Sequence, residues 1–214
     1  MEDNNLRLTN IFKDAGANFN YKNVTAEFEP FTEVKVRWQR SYEWADFKVS
    51  DYLADAPDNI LKALATTLFS RISGLSEGDL TTEFKDYVSS MDFTNAHRDV
   101  YLGRIDAHIT DKFDEKMQAV AKREGFKAEG IVVAINEIAD RPHCSVLMRT
   151  LVVPPVFETA PDYVLDFVFT HYLVIFDGGY NPGEDITLRA VLKDDEHPDE
   201  VKARAWLGKN NIFF

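Results

Sequence analysis

Residues 144–155 read CSVLMRTLVVPP and residues 161–176 read PDYVLDFVFTHYLVIF. The first run, taken from Ser145 to Val153, is apolar after its opening serine and is broken only by Arg149 and Thr150, as a buried strand is. Pro154 and Pro155 end it, because proline has no N–H for a ladder. In the second run Pro161 suits the first position of a helix, and Asp162 suits its positive end. Nearly every side of residues 161–176 is apolar, which predicts a helix at the centre of a core. Gly178 and Gly179 stop it.

Working outward, residues 131–135 form a second continuous apolar run. The polar link 136–143, with Pro142, suggests that it pairs antiparallel with 145–153. Further upstream, residues 33–39 alternate, with Val34, Val36 and Trp38 on one face and Lys35, Arg37 and Gln39 on the other. Residues 44–50 read as the returning strand of a hairpin, with Phe47 and Val49 inward. Ala56, Pro57 and Asp58 then open a helix whose Ile60, Leu61, Leu64, Leu68 and Ile72 share one side. Helices are expected over 78–91, 97–105, 111–124 and 199–207. The first 23 residues are polar and read as a flexible lead-in, with a weak helical hint at 6–12. Residues 24–214 read as one α+β domain: a small mixed or antiparallel sheet packed against several helices, with 161–176 central. No internal repeat stands out.

A strand followed directly by such a helix resembles the zincin-like metallopeptidases of the SprT-like and minigluzincin kind. In those proteins the helix bears His-Glu-x-x-His, and a later segment supplies a third zinc ligand. Residues 50–72 also resemble the helix that opens such domains. The likeness is strongest over 128–207. Two imidazoles four residues apart share a helix face and can grip one zinc ion, while the glutamate next to the first acts as general base. Here the five residues are HYLVI. His171 matches the first ligand; Ile175 stands where the second would be and cannot coordinate. Tyr172 stands at the base position and, with an ordinary pKa of about 10, is a poor base near neutrality. Glu184 or Asp185 matches the third ligand. The resemblance therefore implies a degenerate, non-catalytic relative that binds a protein or peptide and needs no cofactor. The alternatives are an active zinc metallopeptidase with displaced ligands, His197 among them, or an unrelated small-molecule enzyme.

Composition narrows the partners. The 214 residues are 45% hydrophobic and carry a formal net charge of −12, without a basic cluster to offset it. Such a surface repels phosphate backbones, so nucleic acid is not an expected partner. The single cysteine, Cys144, excludes an intrachain disulfide and a cysteine zinc site, and beside His143 in a strand it points to the opposite face. The longest apolar stretch is too short to span a bilayer and contains Asp166 and His171. No membrane association is expected, and with no signal-like start the expected compartment is the cytoplasm.

Overall fold

The computed structural model describes residues 2–75, 79–179 and 198–212. It is an α+β protein with two small mixed sheets. Where one domain was expected, the chain divides into two compact units, Met1–Ser90 and Met91–Phe214.

The first unit begins with helix α1 (Glu2–Ala17), so the expected flexible lead-in is ordered. Leu8, Ile11, Phe12 and Ala15 recur at three- and four-residue steps and are buried. The strands β1 (Asn23–Glu29), β2 (Val36–Ser41) and β3 (Trp44–Ser50) follow. The sheet order is β1-β3-β2, with β3 parallel to β1 and antiparallel to β2. Phe47 and Val49 face the core as expected, but Trp38 is 45% exposed because β2 is an edge. A short 3₁₀ turn (Asp51–Leu53) leads into α2 (Asp58–Ile72). The unit closes with α3 (Thr82–Val88), which starts where the Thr81 hydroxyl accepts from the Phe84 N–H. Its core is aromatic: Phe12, Tyr21 and Phe47 all meet the Phe69 ring. Gly16 lies so near Phe69 that an added Cβ would come within 2.8 Å of the ring.

The second unit runs α4 (Met91–Arg104), β4 (Ala107–Ile109), α5 (Asp114–Glu124), β5 (Val132–Asn136), β6 (His143–Ser145), β7 (Thr150–Val153), α6 (Asp162–Asp177) and α7 (Pro198–Lys209). The sheet order is β4-β5-β7-β6. Two expectations need correction here. The run 145–153 is not one strand: it breaks between β6 and β7, where Arg149 adopts a left-handed φ of 46°. β7 also pairs parallel, not antiparallel, with β5; only the short β6 is antiparallel to β7. The break is held from α4. Arg98 donates to the carbonyls of Met148 and Gly130, and Thr94 donates to that of Leu147. The resulting core places Val133 and Ile135 of β5 and Leu151 and Val153 of β7 with Val164, Val168 and Phe169 of α6.

The two units repeat one arrangement, which the sequence did not reveal. Each has a helix, a strand, a hairpin whose second strand inserts beside the first strand, a 3₁₀ turn, and a proline-led helix. Ala56-Pro57-Asp58 corresponds to Ala160-Pro161-Asp162. Pro57 (φ −57°, ψ 152°) and Pro161 (φ −62°, ψ 153°) cap their helices in one conformation. With the prolines in register, burial coincides at Ile60 and Val164, Leu61 and Leu165, Leu64 and Val168, Thr67 and His171, and Phe69 and Leu173.

Candidate functional site

The candidate site is the middle of α6. His171 is 4% exposed. It takes the place that Thr67, also buried, occupies in α2. Burial, and secondarily the charge of Arg204 on α7, lowers its pKa from 6.5 to about 4. The imidazole is therefore neutral near pH 7, the form that coordinates metals. Arg204 works against coordination, because a guanidinium nearby opposes a second cation. That guanidinium lies 5.2 Å from the centre of the Phe167 ring and pairs with the buried Glu200 at 2.7 Å.

The pKa of His171 carries a prediction. Between about 6.5 and about 4 the unfolded chain takes up a proton that folded His171 refuses. The unfolded state then binds more protons, so His171 contributes stability above the upper value that is lost as pH falls through the window. His171→Gln should flatten this part of the stability–pH curve, measured by urea titration at a series of pH values. An unchanged curve would show that His171 does not titrate abnormally.

Tyr172, which the zincin resemblance would place at the general-base position, is buried and donates from its hydroxyl to the Pro142 carbonyl at 2.5 Å. Burial raises its pKa, so it stays a neutral phenol. Pro142 immediately precedes edge strand β6, so this hydrogen bond ties α6 to the start of that edge. Ile175, one turn beyond His171, packs against the core as an apolar residue. Among the described residues, no group of three or more His, Cys, Asp or Glu could hold a metal ion, at His171 or elsewhere. Glu184, Asp185 and His197 lie outside the described residues.

No family model, curated protein or solved structure matches the chain. The remaining chemistry-bearing groups of the site are quiet. Cys144 is partly buried on β6, and burial pushes its thiol up to about 12, so it carries almost no thiolate near neutrality. His143 beside it is exposed. The Glu200–Arg204 pair was missed in the sequence; its i,i+4 spacing was a signal, but nothing local linked it to His171. Among the described residues, no helix is long and apolar enough to cross a membrane.

Proposed function

We propose that the chain is a non-catalytic zincin-like protein whose second unit binds an extended segment of a protein partner along edge strand β6. The observation that carries this reading is Tyr172: the residue at the base position spends its hydroxyl on the Pro142 carbonyl. A side chain so committed holds the helix to the edge and cannot activate water. The arrangement around it supports the same reading, because an antiparallel edge strand and a parallel neighbour lead directly into the apolar helix. An edge strand binds an extended chain through backbone groups, which needs no metal.

Elemental analysis of the purified protein, dialysed without chelator, tests the non-catalytic half. The expected zinc content is far below one ion per chain, because Ile175 and Tyr172 replace a ligand and a base. A near-equimolar content that disappears in His171→Ala would overturn the proposal in favour of an active metallopeptidase with displaced ligands.

A further inference from the structure

The first unit treats its two sheet edges differently. The outer edge of β1 is closed by α1. The Thr9 hydroxyl accepts from the Ala26 N–H at 3.0 Å and donates to the Ala26 carbonyl at 2.7 Å, and the Asn5 side-chain oxygen accepts from the Phe28 N–H at 2.9 Å. The outer edge of β2 has no such cover from the described residues of the first unit. The Ser50 N–H donates to the Lys35 carbonyl at 3.0 Å, which fixes the alternation of the antiparallel ladder. Arg37, Gln39 and Ser41 then exchange hydrogen bonds with β3, and the N–H and C=O groups of Val36, Trp38 and Arg40 point to the open edge.

The two faces flanking that edge differ in chemistry. Trp38 lies opposite Phe47 and Val36 opposite Val49, so one face is apolar at the edge. The other face carries Arg37 on the edge strand itself and Lys35 just before it, with Lys48, Asp46, Glu27 and Glu29 on the strands behind. A groove of about 520 Å³ runs along this edge, lined by Val36 and Trp38 as well as Glu29, Arg37, Asp46 and Lys48. Arg37 is paired with Glu29 and Lys48 with Glu27, whereas Lys35 has no ion pair among the described residues and rests 5.1 Å from the Phe31 ring centre.

We infer that β2 is a docking edge for an extended segment that alternates apolar and acidic residues. Its apolar side chains would lie beside Val36 and Trp38, and its carboxylates beside Lys35 and Arg37. Charge decides the occupant. A second copy of β2 paired antiparallel would align Lys35 and Arg37 of both copies on one face, and like charges across a ladder are destabilising. An acidic strand meets the same cations favourably. The −12 charge of the whole chain does not prevent this, because exposed charges more than about 8 Å apart are largely screened at physiological salt. Nothing in β2 depends on His171 or α6, so zinc content and binding at β2 can fail separately.

The test titrates the full ¹⁵N-labelled chain with an acetylated, amidated hexapeptide of alternating valine and glutamate, to millimolar concentration. The amides of Val36, Trp38 and Arg40 should shift and exchange more slowly, and those of β6 should not. Lys35→Glu, at an exposed position, should weaken binding about tenfold, and Lys35→Gln by less. Trp38→Ala should weaken binding with the fold intact by melting temperature. A peptide of the same composition with its glutamates in one block should bind more weakly, because it cannot sort its side chains to two faces. Unmoved β2 amides would overturn the inference. So would equal binding by a valine–lysine peptide, stronger binding by oligothymidylate, or full affinity in Lys35→Glu.

Discussion

Phe69→Ala is expected to lower the stability of the first unit by about 3–5 kcal/mol, the range for removing a fully buried aromatic ring. Phe69 is 0% exposed and is the hub of its core. Its ring meets Phe47 and Tyr21 at 5.1 Å, Phe19 at 5.8 Å and Phe12 at 6.5 Å, and Gly16 lies against it. These neighbours come from α1, the segment after it, and β3, so they cannot all close on the cavity left by one ring. Urea unfolding followed by tryptophan fluorescence measures the loss. Trp38 and Trp44 lie in the first unit and Trp206 in the second, so a Trp206→Phe background confines the signal to the first. A loss below about 1 kcal/mol, typical of a surface change, would show that the Phe69 ring is not the hub of this core.

The second large effect is a gain. In Tyr172→Glu combined with Ile175→His, the four-residue spacing places a second imidazole on the face of His171, with a carboxylate beside it. Without metal this double variant should melt lower than the native chain, because buried polar groups without partners are costly and the Pro142 hydrogen bond is lost. Zinc at a hundred times its dissociation constant should restore about 2.7 kcal/mol, a stabilisation absent from the native chain. Adding Arg204→Gln should raise zinc affinity further, because it removes the cation near His171 and releases Glu200 from its pair. Melting curves with and without zinc decide the matter. If zinc fails to stabilise either variant, His171 is an ordinary buried histidine and the zincin reading of α6 is wrong.

What could be read from the sequence was local. The hairpin of β2 and β3 showed in the alternation of its side chains, and α6 in its nearly unbroken apolar run. What escaped was set by partners distant in the chain. α1 looked too polar to pack because Asn5 and Thr9 face the backbone of β1 and act as substitutes for a neighbouring strand. The parallel pairing of β5 and β7 depends on which strand enters between which others, and no side-chain pattern encodes that. The repeated arrangement was hidden because the two copies share Ala-Pro-Asp and buried positions but fill them differently, Ala65 against Phe169 and Thr67 against His171. At the candidate site, the burial of His171 could be foreseen, but the bond from Tyr172 to Pro142 spans thirty residues and could not.

The insertion of the last strand of each trio between two earlier ones bears on when each strand meets its ladder partner. β1 and β2 share no ladder, only the Arg37–Glu29 ion pair, so while the chain is being synthesised neither has a strand partner until β3 has emerged. The β2–β3 hairpin closes over a two-residue turn and is the fastest element available, forming in about 1–10 μs. β1 gains its ladder only once β3 is present, and α1 seals the outer edge of the strand so paired. A ribosome-bound chain halted before Trp44 thus holds two strands and an amphipathic helix with no sheet to join. In the second unit β5 can pair with the earlier β4 as it emerges, and only its other edge waits for β7. Both halves of the chain therefore pass through an interval in which strand edges are open, when a cell's holding chaperones have the most to bind.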